Sequence, residues 1–375
     1  MEKRKMENLG IATSLLGFGC MRFPTMADGK IDEAKAERML DRAIDEGVNY
    51  IDTAYPYHDG QSEVVVGKIL KKYERSSFYL ATKLPVWLVN TVEDVDRLFE
   101  EQLGKLQVEY IDFYLLHAMD RERWEKMMEI GCVERLEKLK AEGKIKYLGF
   151  SFHDSYEVFE EMLCSRDWDF CQIQLNYMDT DEQAGMKGYQ LATDRKIPLI
   201  IMEPVKGGSL VNLPQEAQWV FDELKGGSYA SYAIRFAASQ EGVMMVLSGM
   251  SNIEQMEDNL SFMEDFRPLG EKEYAAIEQV RGVFGRMDLV PCTACRYCTD
   301  GCPMKINIPS LFSALNANTM FGGENGWASY KNNVEKGGSP ADCVGCGQCE
   351  AACPQHLEIR ALLKRVSARF GGEED

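Results

Sequence analysis

The sequence predicts an α/β protein, a (β/α)8 TIM barrel followed by a small, mainly helical, cysteine-rich domain. Three observations carry that reading. Short β-type runs alternate with longer amphipathic helical runs from about residue 17 to 265, giving eight strand–helix units. Several of the β-type runs are almost continuously apolar, as strands covered on both faces are. After Pro291 the composition shifts to cysteine, glycine and proline, which marks a second domain. The 375 residues are too many for one ordinary compact domain and suit a barrel with an appendage.

In chain order the strands are LLGFGCM, VNYIDTA, SFYLATKL, YIDFYLLH, IKYLGFS, FCQIQLNY, IPLIIMEP and VMMVLSG. Between them lie stretches such as DEAKAERMLDRAIDEG and VEDVDRLFEEQLGKL, whose apolar residues recur at i, i+3 and i+4. Gly47 after Glu46 and Gly143 after Glu142 read as helix stops. Residues 271–287 form one more helix that closes the barrel or links onward, so the domains span 1–288 and 289–375. A doubly wound sheet competes with the barrel, but its first turn should carry G-x-G-x-x-G, and GFGCMR lacks the last glycine. The closing GGEED reads as a frayed acidic tail.

Hydrophobic residues at 45% and charged residues at 27% exclude gross disorder. A net charge of −18 argues against nucleic acid or an anionic membrane as partner, because the overall field repels polyanions. The start, MEKRKMENLGIATSLLGFGCM, imitates a signal peptide, yet Glu2, Glu7 and Asn8 interrupt it and no A-x-A-like site follows. No window approaches 18 unbroken apolar residues. Cys20, Cys132, Cys164 and Cys171 are scattered and read as small buried hydrophobes, while the other eight of twelve cysteines lie after residue 290. A reducing cytoplasm is the expected compartment.

Those eight form two runs. The first is Cys292-x2-Cys295-x2-Cys298-x3-Cys302-Pro303, and the second is Cys343-x2-Cys346-x2-Cys349-x3-Cys353-Pro354. Each is the C-x2-C-x2-C-x3-C-P pattern of bacterial [4Fe–4S] sites, in which the fourth cysteine ligates the other cluster when two are present. That rule assigns Cys292, Cys295, Cys298 and Cys353 to one cluster, and Cys343, Cys346, Cys349 and Cys302 to the other. Structural zinc is the plainer alternative, but it needs only paired C-x2-C and leaves the third cysteine and the proline without a purpose. The partly helical spacer beginning SLFSALNANTM favours a helical two-cluster ferredoxin domain.

In a barrel the C-terminal strand ends carry the active site. Here they present Asp52, Lys83, His117, Ser151, Gln174 with Asn176, Glu203, and Ser248 with Gly249, and Tyr57 follows just beyond Asp52. Asp52, Tyr57, Lys83 and His117 make a coherent proton-transfer set. A lysine cation favours ionisation of a neighbouring tyrosine, a carboxylate holds the lysine, and a histidine orients a carbonyl oxygen.

These residues resemble the aldo-keto reductase superfamily, and the tail resembles the branch fused to a two-cluster ferredoxin domain. The quoted matches are LLGFGCMR, YIDTAYPYHDGQSE, LATKLP, YIDFYLLH, GKIKYLGFS, QLNY and SGMSNIEQMEDNL, spread over about Leu15 to Leu260, with the tail matching from Pro291 to Pro354. The resemblance implies Tyr57 as general acid toward a carbonyl, tuned by Lys83 and Asp52, with His117 positioning the substrate. It also implies hydride transfer between a nicotinamide, usually NADPH, and a small carbonyl or alcohol substrate. The implied nucleotide contacts are Gly19, Met21, Arg22, Ser151, His153, Gln174, Gly249, Gln255 and Asn259. For Lys206 two readings stand, a pyrophosphate contact and a solvated loop lysine.

The chain departs from the family where many members hold the carboxamide with Ser-Asn, having Ser151-Phe152-His153 instead. Gly249, Met250 and Gln255 replace the Lys-Ser and arginine that grip an adenosine 2′-phosphate. NADP(H), NAD(H) and a flavin therefore all stand as cofactor beside the two [4Fe–4S] clusters. The clusters either serve an external one-electron redox partner or hold structure. A reading of a different class makes the barrel only a platform that docks an electron carrier.

Overall fold

A computed structural model describes residues 1–6 and 8–371. Eight parallel strands close the barrel in the order β10-β3-β4-β5-β6-β7-β8-β9. They are β3 (Leu16–Gly19), β4 (Tyr50–Asp52), β5 (Tyr79–Leu84), β6 (Ile111–Met119), β7 (Ile145–Phe152), β8 (Phe170–Gln174), β9 (Leu199–Met202) and β10 (Val243–Gly249). Ahead of them β1 (Lys3–Met6) and β2 (Ile11–Ser14) form an antiparallel hairpin that the sequence reading did not foresee. Met6, Leu9 and Ile11 of the hairpin pack on the barrel core, and Arg4 donates to the carbonyls of Ala238, Gln240 and Val243. The basic start is thus a plug for the barrel's N-terminal end.

Outside the strands lie α1 (Glu33–Asp45), α2 (Gln61–Leu70), α3 (Val92–Leu106), α4 (Arg121–Ile130), α5 (Cys132–Ala141), α6 (Tyr156–Cys164), α7 (Gly185–Asp194), α8 (Gln215–Asp222), α9 (Tyr229–Ala238) and α10 (Ile253–Met263). Their starts follow from capping chemistry. Asp32 accepts from the Lys35 amide, Thr91 and Asp94 close a capping box, and Asp120 and Asn252 cap α4 and α10. Gly47 and Gly143 do sit just past helix ends with left-handed φ of 92° and 79°. The barrel interior is packed by Tyr50, Phe113, Phe170, Ile200, Met245 and Leu247, with Phe113 edge-on to Tyr50 and Phe170 at 4.9 and 5.0 Å. It is a core, not a channel.

The chain then continues through α11 (Glu271–Gly285), α12 (Tyr297–Asp300), α13 (Ile308–Phe321), α14 (Trp327–Lys336), α15 (Gln348–Ala351) and α16 (Ile359–Phe370). By internal packing the protein divides into two units, Met1–Pro204 with Ala233–Leu269, and Val205–Tyr232 with Gly270 onward. The excursion after β9 and the helix at 271–285 thus group with the cysteine-rich part, because α8 and α11 pack on each other. In that second unit α13 and α16 bury Leu311, Phe312, Ile359, Leu363 and Val366, and Phe370 stacks on Tyr330 at 4.8 Å. Among the described residues no helix is long and apolar enough to cross a membrane.

Candidate active site

Three adjacent strands and one loop deliver the four groups singled out in the sequence. Asp52 ends β4, Lys83 lies near the end of β5, and His117 stands on β6. Between Leu116 and Met119 the β6–β7 register slips, and Ala118 takes a φ of 53°, a bulge that re-aims the side chains beside it. Tyr57 follows β4, and the left-handed residues His58, Asp59 and Gly60 after it turn the chain sharply into α2.

Lys83 is fully buried. Its Nζ donates to Asp52 Oδ1 at 2.7 Å and to the Thr53 carbonyl at 2.8 Å, and stands 3.4 Å from the Tyr57 hydroxyl. The same Nζ lies 5.0 Å from the Tyr57 ring centroid. Burial raises the Asp52 carboxyl, with the Lys83 cation opposing. Asp52 Oδ2 is buried with no hydrogen-bond partner among the described residues.

Against the expectation from the sequence that Lys83 favours ionisation of Tyr57, the surroundings hold its proton in place. Burial pushes the phenol well above its usual value, the Asp52 carboxylate adds to this, and Arg22 is the cation that opposes it. At Tyr57 the Asp52 carboxylate offsets the Lys83 ammonium with which it is paired. Tyr57 therefore stays a neutral hydroxyl in the free protein.

His117 is buried, and burial followed by the positive field of Lys83 drives its pKa well below the ordinary value, with His153 and Arg123 adding. It is a neutral imidazole. Its ring stands 6.0 Å from that of Tyr57, edge-on, and 5.2 Å from Trp87.

Beneath Lys83 lies a polar network that the sequence reading missed. Thr82 and Gln102 donate to buried Glu63 Oε1 at 2.7 and 2.6 Å, and Gln102 also donates to the Lys83 carbonyl at 3.0 Å. The Tyr114 hydroxyl closes the set on Gln102 Oε1 at 2.6 Å. A signal existed, since Glu63 sits at i−4 to Gly67 and i−7 to Leu70 on the apolar face of α2.

The other singled-out residues are distributed as follows. Gly19 pairs with Gly249 across β3 and β10, and the Arg22 side chain lies on Gly249, where an added Cβ would stand 2.8 Å from Arg22 Cγ. Met21 and Arg22 share a 3-10 turn. Asn259 donates to Ser248 Oγ at 2.7 Å, Met250 is buried, and Gln255 Oε1 accepts from the Ser251 amide. Ser151 Oγ accepts from the Ala118 amide at 2.8 Å, so its oxygen serves the bulge next to His117. His153, Gln183 and Gln174 form a chain that ends on Asp179. Lys206 belongs to the second unit, where its neighbour Gly207 (φ 64°) lies directly against the Thr293 backbone.

In the second unit the eight clustered cysteines border two hollows. Cys292, Cys295, Cys298 and Cys353 line one, and Cys302, Cys343, Cys346 and Cys349 line the other, so each takes three thiols from one run and one from the other. Ile308 borders both. Among the described residues no three His, Cys, Asp or Glu side chains converge to hold a single metal ion. Four sulfurs set around a void fit a cube of iron and sulfide rather than one zinc. Burial and then the neighbouring sulfurs push the Cys298 thiol up, so four thiolates there require a positive core.

The chain is similar to known proteins in both of its parts. Residues 291–357 match the 4Fe-4S dicluster domain. An uncharacterized oxidoreductase of Bacillus subtilis, YqkF, is 26% identical over 311 residues, which is 74% of this chain and 96% of that protein. L-galactose dehydrogenase of Arabidopsis thaliana is 25% identical over 292 residues, 72% of this chain and 90% of its own. Among solved structures, the holo form of aldo-keto reductase AKR11C1 from Bacillus halodurans aligns with a TM-score of 0.62 at 26% identity, covering 75% of this chain and 96% of that one. An aldo-keto reductase from Klebsiella pneumoniae in complex with NADPH shares the fold at a TM-score of 0.62 and 23% identity, covering 75% of this chain and 96% of its own. Residues 15–281 match the aldo/keto reductase family, so this chain is an oxidoreductase belonging to that family, with a 4Fe-4S dicluster domain following in the sequence.

Proposed function

We propose that the barrel reduces a small carbonyl compound to an alcohol, or runs the reverse reaction, using NADPH or NADH. The observation that carries this is the contact of one buried ammonium, Lys83 Nζ, with both Asp52 and the Tyr57 hydroxyl. A nicotinamide bound at the mouth supplies the hydride to the carbonyl carbon. Tyr57 gives its phenolic proton to the carbonyl oxygen, and the Lys83 ammonium beside it stabilises the phenolate left behind. Neutral His117 offers an N–H to the same oxygen and so fixes which face of the carbonyl is presented. Asp52 holds the Lys83 ammonium in its buried place, and Gln102 steadies the strand that carries it.

Gly19, Met21, Arg22, His153, Gln174, Gly249, Gln255 and Asn259 are the residues assigned to the nucleotide, and Ser151 acts through the Ala118 amide. Arg22 beside Gly249 brings a cation to a corner where the sequence has lost one. The NADPH bound in the Klebsiella pneumoniae structure supports a nicotinamide, rather than a flavin, as the cofactor here. Cys292, Cys295, Cys298 and Cys353 hold one [4Fe–4S] cluster, and Cys302, Cys343, Cys346 and Cys349 hold the other. These clusters exchange single electrons with an external carrier or hold the second domain together, and thiolate ligation favours the cytoplasm.

The test is anaerobic NADPH oxidation with a panel of aldehydes and ketones. Tyr57→Phe is expected to lower kcat about 10²-fold or more with nucleotide affinity nearly unchanged. Full activity in that variant would refute the assignment.

A further inference from the structure

The first turn of α4 brings a guanidinium into the neighbourhood of His117. Arg123 Nη1 donates to the Ala118 carbonyl at 2.5 Å and stands 3.3 Å from Asp120 Oδ2. Ala118 is the bulge residue directly after His117. The guanidinium also lies 6.0 Å from the Trp87 ring, which in turn is 5.2 Å from the His117 ring. Arg123 is thus no farther from the imidazole centroid than those two distances combined, and its charge reaches His117. Among the described residues only Nη1 of the guanidinium makes a hydrogen bond or ion pair, leaving Nε and Nη2 open, and the side chain is 24% exposed. The edge left open is therefore the part of the group that offers parallel N–H donors.

We propose that Arg123 binds a carboxylate carried by the substrate, which makes the natural substrate an aldehyde or ketone bearing an acid group. This rests on the carbonyl reduction proposed above. The guanidinium is held in place before any ligand arrives, by a carbonyl on one side and an aromatic face near the other, so little side-chain freedom is lost on binding. Asp120 already cancels part of the positive charge, and its other oxygen is committed to capping α4 through the Arg123 amide at 2.8 Å. The residual field suits one negative charge better than two, hence a carboxylate rather than a phosphate. Trp87, 38% exposed, supplies apolar surface for the carbon segment between the carbonyl at Tyr57 and the acid group.

The full-length, cluster-loaded protein with NADPH under anaerobic conditions is assayed against 4-carboxybenzaldehyde, its methyl ester, and 4-formylphenyl phosphate. Wild type should favour the acid over the ester, chiefly through KM. In Arg123→Met the acid-to-ester ratio of kcat/KM should fall on the order of tenfold to a hundredfold, the range for a charged hydrogen bond. Arg123→Lys should recover part of it. A ratio unchanged in Arg123→Met, including a parallel loss on both substrates, would overturn the proposal, as would a wild-type ratio near one. A larger advantage for the phosphate than for the acid would overturn the assignment to a carboxylate. If wild type reduces none of the three, it is the carbonyl-reductase reading that fails. Calorimetry with terephthalate on the NADPH-loaded protein then judges Arg123 alone: weaker binding in Arg123→Met supports it, and equal or absent binding in both proteins sinks it.

Discussion

Tyr57 has a lysine and a carboxylate within reach, and in the free protein burial and the carboxylate set its proton affinity. Removing Lys83 leaves Asp52 without its cation beside the phenol. Lys83→Met should therefore cost roughly 10²-fold or more in kcat and move the alkaline limb of the pH–rate profile upward, measured by initial rates from pH 6 to 10. An alkaline limb that stays in place would show that Lys83 does not act on Tyr57. His117 gives a stability prediction instead. Its folded pKa lies below the unfolded value near 6.5, so the unfolded chain takes up the proton first as pH falls. Its penalty is absent above about pH 6.5 and grows as pH drops below it. His117→Asn should flatten the fall of Tm between pH 6.5 and 5, read by thermal melts in matched buffers. The tetrad could be read from the chain because a barrel's chemistry collects at strand ends, and strand ends are visible as the last residues of apolar runs. Arg123 could not be, because its relevance depends on a bulge at Ala118 that no run of residue types announces.

At the scale of elements, close approach of backbones fixes several positions. Gly67 on α2 faces the end of α3, where a Cβ would stand 2.6 Å from the Lys105 carbonyl. Gly67→Ala should cost about 1–3 kcal/mol in chemical denaturation by forcing the two helices apart. Because α2 carries Glu63 and α3 carries Gln102, activity should fall with it, whereas an unchanged stability would mean the helices can shift freely. The eight strands were legible because apolar runs in a buried parallel sheet are nearly continuous. The β1–β2 hairpin was not, since KRKM and IATS are short and share no strong alternation, and its anchor is a charged side chain, Arg4, bonded to distant carbonyls. Nor could composition show that α11 packs with α8, because neither amphipathic helix names its neighbour.

For the whole molecule, the dicluster domain predicts eight irons and eight acid-labile sulfides per chain under anaerobic isolation. Stoichiometric zinc without labile sulfide would contradict that count. The core of the second unit includes Cys298, Cys349 and Cys353 among its packed side chains, so removing iron by chelation should unfold that unit first. Calorimetry should show the barrel transition persisting while the other is lost. Cys302→Ala and Cys353→Ala should each damage the cluster named after the opposite run, seen as loss of one of two signals in the spectrum of the reduced protein by paramagnetic resonance. That crossing of ligands also sets an order of manufacture. When Cys292 to Cys302 have been synthesised, their hollow still lacks its fourth sulfur, and the second hollow has only one. The second site cannot be completed until Cys349 has been made, nor the first until Cys353, and by then every barrel strand is already available to fold. Loading of iron is therefore deferred until the second run has been made, and a product truncated between the two runs carries no complete cluster that could react with oxygen.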